Sequence, residues 1–333
     1  MTRQAPRSTV GRPTLEEVAA LAGVGRGTAS RVVNGSAQVS PRAKAAVEAA
    51  INQLGYVPNR AARSLVTQRT DAVALVVSES QERVFGEPFF AGVLRGINET
   101  LLETSLQLWL AMAATPAQRQ RVEHHLTDQH VDGVLLLSLH DDDPLPALLR
   151  ARAMPFVLGG RPSSHDDSAF VDVDNVGGAT LATAHLLSLG ARRVATIAGP
   201  QDMAVGRDRL AGYRAALPAH AAEVVQVGDF SEAGGYAAMR ALLAFDFDAV
   251  FAASDLMAAG ALRALREAGR VVPLVGFEDA DVARRTDPPL TTVHQPVEEL
   301  GRRMAALLID LIAGRDVVSH VLLDTHLVRR DSA

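Results

Sequence analysis

Arg26 and Arg31, in the segment TLEEVAALAGVGRGTASRVVN (14–34), are the side chains best equipped to read another molecule. Each guanidinium offers two parallel donors that match O6 and N7 of guanine, the commonest specific contact in a major groove. Thr28 and Ser30 lie between them and carry hydroxyls short enough to bond phosphates or base edges. The chemistry implied is non-covalent recognition of duplex DNA. Other candidates do less. Asp141-Asp142-Asp143 reads as a solvated loop, and His124-His125 have no ligand partner at metal spacing. His185 and Ser188 lack a positioned acid, so no catalytic constellation is present. Gly23-Val24-Gly25-Arg26-Gly27 has glycines like a dinucleotide loop, but no strand precedes it.

Charge supports the same partner. The 333-residue chain carries a formal −5, yet residues 1–70 hold ten Lys/Arg against three acids. The N-terminal segment is therefore +7 and the remainder −12. A basic reader of phosphates on an acidic body has this asymmetry. The absence of cysteine excludes disulfides, thiolate metal sites and Cys nucleophiles. No apolar run approaches the roughly 18 residues of a membrane span, and the first twelve residues lack an apolar signal core. The expectation is a cytoplasmic protein with no membrane partner, no metal and no cofactor.

These side chains need helices to hold them. Leu15, Val18, Ala19 and Ala22 recur at helical spacing behind Thr14, with Glu17 three residues on, which is a capping box. A second helix runs from about Gly25 to Val33 and stops before Asn34-Gly35. A third starts at Ser40-Pro41 and runs to Leu54 before Gly55. From Asp71 onward, apolar runs alternate with helical stretches: 72–77, 106–110, 133–137, 156–158, 194–197, 224–227, 249–252 and 271–275. That alternation implies parallel sheets with right-handed crossovers. About 260 such residues are too many for one core, so two α/β lobes are expected.

Positions 14–65 resemble the DNA-binding head of the lactose-repressor (LacI/GalR) family. The matching residues are Thr14, Val18-Ala19, Ala22-Gly23-Val24, Thr28, Ser30-Arg31-Val32, Asn34, Val39-Ser40 and Leu54-Gly55-Tyr56-Val57-Pro58-Asn59. Gly25 replaces the usual Ser N-cap, and Gly27 takes a position often used for base readout. The recognition helix should therefore be marginal when free and read DNA mainly through its two arginines. The resemblance implies a helix-turn-helix whose second helix enters the major groove, with Thr14, Leu15, Arg26, Thr28, Ser30, Arg31 and Asn34 facing DNA. It also implies a linker that becomes helical on DNA. There Asn59, Arg60, Ala62 and Arg63 meet the duplex, and Leu65 wedges between base pairs in the minor groove.

The body resembles the same family's effector-binding core, which is similar to periplasmic sugar-binding proteins. The implied fold is an all-α helix-turn-helix head plus an α/β body with a two-lobed, parallel-sheet, periplasmic-binding-protein-like core. Its divisions are a disordered tail (1–13), the head (14–57), a hinge helix or linker (58–70) and the body (71–327). Lobe one spans about 71–171 and 295–320, and lobe two about 172–294 and 321–327. A small effector should sit between the lobes, at the carboxyl ends of the strands. Matching pocket positions are Phe89-Phe90 in EPFFAGVLRGI, Arg209 in RDRLAGYRAAL, Phe230 in VGDFSEAGGY, Ser254-Asp255 in AASDLMAAGAL, and Glu278. The two Phe rings either stack on a ligand ring or staple the next helix to the sheet. Arg207 reads as solvated or as a partner of pocket residues. Glu278 stands where the family has Asp, and Gly159 where many members have an acid, which points to an altered ligand. Met304, Leu307, Leu308 and Leu311 share an apolar helix face directed at the lobe core.

The resemblance thus implies a transcription regulator, a repressor, acting on palindromic operator DNA as a homodimer or a higher assembly. A sugar or nucleoside effector would control it, and linkage allows either induction or corepression. A regulator whose cleft has lost small-molecule control stands as the alternative. A solute-binding protein would need an export signal and no basic head. An enzyme of dehydrogenase type would need a phosphate loop after a strand.

Overall fold

A computed structural model describes residues 13–33, 38–57, 69–127, 130–162 and 167–333. Its chain contacts divide into two units, Met1–Thr70 and Asp71–Ala333. The expected tail, apart from residue 13, lies outside the described residues. So do Asn34, Asn59, Arg60, Ala62, Arg63 and Leu65.

The first unit contains α1 (Leu15–Leu21), α2 (Arg26–Val33) and α3 (Pro41–Leu54). Thr14 caps α1 through the capping box: its backbone N–H donates to Glu17 Oε2 at 2.7 Å, and Glu17 N–H donates to Thr14 Oγ1 at 3.3 Å. Ser40 caps α3, Pro41 occupies its first turn, and Gly55 closes it in the left-handed region at φ 61°. Val18, Ala19, Ala29, Val47 and Ala50 form a small core. Five mostly small residues give three short helices little burial, so the caps carry a large share of the stability.

The second unit holds two six-stranded sheets. The first contains β1 (Ala72–Val77), β2 (Gln107–Met112), β3 (Gly133–Leu137), β4 (Phe156–Gly159), β5 (Phe170–Val173) and β11 (His320–Leu323), in the order β11-β5-β4-β3-β1-β2, all parallel. The second contains β6 (Val194–Ala198), β7 (Val224–Val227), β8 (Ala249–Ala252), β9 (Leu274–Glu278), β10 (Thr291–His294) and β12 (His326–Val328). Its order is β12-β10-β9-β8-β6-β7, and only β12 runs antiparallel. Along β1, Val73, Leu75 and Val77 feed one core while Ala74 and Val76 feed another, so helices cover both faces.

Helices of the first lobe are α4 (Gln81–Gly86), α5 (Pro88–Leu101), α6 (Pro116–Thr127), α7 (Leu145–Ala151) and, late in the chain, α13 (Val297–Ile312). Those of the second are α8 (Asn175–Ser188), α9 (Ala204–Ala216), α10 (Glu232–Leu242), α11 (Asp255–Glu267) and α12 (Asp281–Arg285). The chain crosses between lobes after β5, after β10 and between β11 and β12. Met304, Leu307 and Leu308 are buried in the first lobe's core, and Leu311 packs at its edge.

Three elements differ from expectation. The last crossover falls between residues 323 and 326 rather than at 320/321, because His320–Leu323 pairs with β5 of the first sheet. The strand expected at 271–275 runs 274–278, and Val271 is wholly exposed. Helix α4 was not anticipated; Ser80 caps it by accepting from Arg83 N–H at 3.3 Å. Among the described residues, no helix is long and apolar enough to cross a membrane.

Candidate functional site

On the head, Gly23 adopts φ 63° and turns the chain from α1 into α2. The carbonyl of Gly25 accepts from Thr28 and Ala29 N–H at 2.9 and 3.1 Å, so Gly25 opens α2 without a side-chain cap. Ala29 faces the core; Arg26, Gly27 and Arg31 are exposed, and Thr28 and Ser30 are half-buried. A Cβ at Gly25 or Gly27 would meet nothing within 4 Å. One face of α2 is therefore an open polar surface bearing both arginines. Thr14 is exposed beside half-buried Leu15. Arg26 Nε lies 2.8 Å from Glu16 Oε1, a solvent-screened pair that an incoming base edge can displace at little cost.

In the body, the carboxyl ends of the strands converge on a cleft between the lobes. One cavity there is lined by Arg83, Glu87, Phe89, Phe90 and Asp172 from the first lobe and by Asn175, Arg209, Phe230 and Glu278 from the second, with Gln295 on the crossover. Arg209 organises it. Its guanidinium is buried and donates from Nε to Asn175 Oδ1 at 3.0 Å, from Nη1 to the Ala253 carbonyl at 2.6 Å, and from Nη2 to Gln295 Oε1 at 3.0 Å. It lies 3.7 Å from the centroid of the Phe277 ring, which backs it with a π face. Burial pulls its pKa down to about 10, against the opposing charge of Glu278. Glu278 Oε1 stands 3.8 Å from Arg209 Nη1, on a backbone held at φ 117°. Burial pushes Glu278 up to about 8 despite Arg209. Asp172 is also raised by burial, while accepting from Val173 and Arg161 backbone N–H at 2.8 and 3.1 Å.

The two phenylalanines divide the roles left open by the sequence. Phe90 is 2% exposed and staples α5 to the sheet, whereas half-buried Phe89 meets it edge-on, with ring centroids 5.3 Å apart. Phe230 lies between two guanidiniums, with Arg83 and Arg209 at 5.8 and 5.9 Å from its centroid.

Several expected positions turn elsewhere. Ser254 does not line the cavity: its Oγ accepts from Met257 N–H at 3.2 Å and caps α11. Asp255 is fully buried behind the wall, accepting from Thr292 Oγ1 at 2.6 Å and from Ala280 N–H at 2.8 Å. Burial raises it to about 7, with the Thr292 hydrogen bond opposing. A Cβ at Gly159 would lie 2.6 Å from Leu137 Cδ1 and 2.9 Å from Met304, inside the lobe core. Gly159 nevertheless lines the cavity, and a side chain there would have to displace the ends of Leu137 and Met304. Asp141 and Asp142 are exposed, as a solvated loop requires; Asp141 still takes two hydrogen bonds from Arg207 at 2.7 and 3.0 Å, and half-buried Asp143 accepts from Ser78 Oγ at 2.5 Å. Arg207 accordingly bridges the lobes.

The residues that sequence reasoning missed lie on and beside α4 and at the crossovers. Arg83 donates to Glu79 Oε1 and Glu87 Oε1, each at 2.6 Å, forming a ladder at i−4 and i+4 that was readable as ESQERVFGE (79–87). Asp172, Asn175 and Gln295 had no local signal, since distant crossovers bring them together.

Comparison with known proteins places this geometry in context. Residues 14–59 match the lacI family of bacterial regulatory proteins, and residues 183–333 match the periplasmic binding protein-like domain. The HTH-type transcriptional regulator CelR of Thermobifida fusca is 54% identical over 334 residues, covering 96% of this chain and 98% of that protein. The ribose operon repressor of Escherichia coli K12 is 35% identical, covering 90% and 93%. A transcriptional regulator CelR–cellobiose complex aligns with TM-score 0.77 at 52% identity, over 97% of this chain and all of that one. The lac repressor dimer bound to operator and the anti-inducer ONPF aligns with TM-score 0.83 at 28% identity, over 97% and 99%.

Proposed function

The chain belongs to the lacI family of bacterial regulatory proteins, and from that premise we propose how its own residues act. It is a DNA-binding transcription regulator and not an enzyme. In this reading it works in the cytoplasm as a dimeric repressor whose two heads read the halves of a palindromic operator. The head spans 14–57, the linker 58–70 and the body 71–327. Arg26 and Arg31 supply base recognition, with Thr14, Leu15, Thr28, Ser30 and Asn34 on phosphates and flanking edges. Asn59, Arg60, Ala62, Arg63 and Leu65 serve the minor groove.

The effector in this reading is a neutral saccharide. One observation carries it: the cavity sets three carboxylates (Glu87, Asp172, Glu278) and two guanidiniums (Arg83, Arg209) among the rings of Phe89 and Phe230. Carboxylates and arginines hydrogen-bond hydroxyls in pairs, and aromatic faces suit the apolar face of a pyranose. Because the CelR complex holds cellobiose, that disaccharide is the first candidate. A ligand touching both lobes shifts their relative populations, and with them the spacing of the two heads.

Anisotropy of a labelled palindromic operator, titrated with cellobiose, ribose, nucleosides and glucose 6-phosphate, tests this. Cellobiose should change operator affinity at least about fivefold, a typical allosteric coupling. Equal indifference to all four would sink the effector assignment, and absence of palindrome preference would sink the regulator mechanism.

A further inference from the structure

A continuous run of polar contacts leads out of the cavity to the opposite lobe. It begins at Glu87, whose Oε1 and Oε2 receive Arg83 Nε and Nη2 at 2.6 and 3.3 Å. Arg83 Nη1 donates to Glu79 Oε1 at 2.6 Å, and the same oxygen receives Ser138 Oγ at 2.8 Å. His140 Nε2 lies 3.6 Å from that oxygen, while its Nδ1 lies 2.7 Å from Asp202 Oδ2. Glu79, Arg83, Glu87 and His140 belong to the first lobe; Asp202 follows β6 in the second. All four side chains of the first lobe are largely shielded: Glu79 7% exposed, Glu87 12%, Arg83 21% and His140 29%. We propose that Glu87, Arg83, Glu79 and His140 form a relay by which a ligand seated against Arg83 and Glu87 sets the strength of the His140–Asp202 clasp between the lobes.

The proposal rests on the effector reading for the ligand, but its wiring does not. His140 faces two carboxylates on opposite lobes, hydrogen-bonded to Asp202 through Nδ1 and 3.6 Å from Glu79 through Nε2, and attracts both most strongly as an imidazolium. Other charges nearby come from the same loop and from α9: Asp141 with its partner Arg207, and Asp143, which is held by Ser78. Asp141 N–H also donates to the Asp202 carbonyl at 2.9 Å, which keeps the second-lobe loop in register with His140. Arg161 pairs with Asp208 across the same side of the cleft. Within this cluster Glu79 is the joint. Burial works to raise it, but His140, 3.6 Å away, and the charge of Arg83 hold it below the ordinary carboxylate range. The Glu79 carboxylate is also the first cause that raises His140 to about 9, with burial opposing and Asp202 adding to it. A ligand that draws Arg83 toward the cavity frees Glu79 Oε1 for the imidazolium; one that pushes it back weakens the clasp. Effector and clasp thus share a carboxylate oxygen.

The sign with pH follows. A histidine raised from 6.5 to about 9 contributes its full share below pH 6.5 and loses it as pH rises through 9. Glu278 and Asp255 titrate in the neighbouring range, so the comparison is between variants and not along one profile.

The test is a titration of the His140 ring protons by NMR in the full-length protein, assigned with His140→Gln. Ligand-free wild type should show a midpoint near 9. Asp202→Asn should move it toward the ordinary value of about 6.5, and Arg83→Met, which never touches the imidazole, should move it measurably as well. In calorimetry with cellobiose, His140→Gln should bind about fivefold more weakly than wild type. Asp202→Asn should reproduce that weaker binding, and an unchanged far-UV circular dichroism spectrum shows that both variants are folded. A wild-type midpoint near 6.5, or one indifferent to Arg83→Met, overturns the relay. A protein that binds no saccharide counts against the effector reading alone, because the ligand-free titration still decides whether Arg83 and His140 are coupled.

Discussion

Arg209 spends three of its five donors on its own protein, on Asn175, Ala253 and Gln295, and rests on Phe277. Removing it strands those acceptors and leaves Glu278 buried without its cation. Arg209→Ala should lower the stability of the body by about 3 kcal/mol in urea unfolding and abolish saccharide binding. Arg209→Lys should recover part of the stability and little of the binding, since a point charge cannot serve three acceptors and a ring together. Asp255 yields a prediction with a sign. Its folded pKa, raised by burial to about 7 from 3.8, means that the native state holds a proton the unfolded chain releases. Its contribution to stability is full at low pH and is lost as pH rises from about 4 through 7. Asp255→Asn has no such dependence, so its deficit relative to wild type should narrow between pH 5 and 8.5 in chemical denaturation; a constant deficit would contradict the assignment. Arg209, Phe230, Phe89 and Glu278 were legible as cavity residues through the family phrases around them, since they lie on unlike elements: Arg209 within α9, Phe89 within α5, Glu278 at the end of β9 and Phe230 in the turn after β7. Ser254 and Asp255 match a family phrase equally well, yet their side chains turn back to cap α11 and brace Thr292. Position in a loop is encoded locally, whereas the direction of a side chain depends on partners far along the chain.

At the scale of elements, the head was the most legible part, because capping boxes, proline at a first turn and glycine at a C-cap act within four residues. Its weak point was also readable. Gly27 lies within α2 in open space, and its backbone is not left-handed, so the helix gives up conformational entropy with no packing in return. Gly27→Ala should stabilise the head by about 1 kcal/mol and raise affinity for non-specific DNA, because less of the binding energy is used to order α2. Unfolding monitored at the head and anisotropy on random-sequence DNA would check this; an unchanged head stability would show that α2 is already rigid. Elements that rely on long-range pairing were harder to place. Nothing in His320–Leu323 announces that it joins β5 instead of its chain neighbour β12, since edge strands of both sheets have similar composition. The contact of α5 with α13 is likewise invisible in either segment alone. A Cβ at Gly96 would lie 1.9 Å from the Glu298 carbonyl, and one at Gly301 would lie 2.2 Å from that of Val93. These two glycines let the backbones touch and seat the last crossover helix on the first lobe.

For the whole molecule, net charge misleads and its distribution informs. A uniform −5 would repel DNA, but the first 70 residues carry +7 and the rest −12. Binding should therefore be driven by the heads through release of counterions from the phosphates, with a logarithmic salt slope near −0.9 per phosphate neutralised. A dimer that places several basic side chains per head on phosphates should make on the order of six to ten contacts, and should lose roughly 1,000-fold or more between 50 and 200 mM salt. Within that total, base readers and phosphate readers separate. Arg26→Ala should cost about 1–3 kcal/mol on the specific palindrome and little on random DNA, leaving the slope nearly intact. If Arg60 holds phosphate in the proposed linker role, Arg60→Ala should weaken both sites alike and reduce the slope by about one per phosphate lost at each head. Anisotropy on both DNAs at four salt concentrations resolves the two classes. If Arg26→Ala lowered affinity equally on both DNAs and flattened the slope, the arginine would be holding phosphate, and specificity would have to come from Thr28, Ser30 and Arg31.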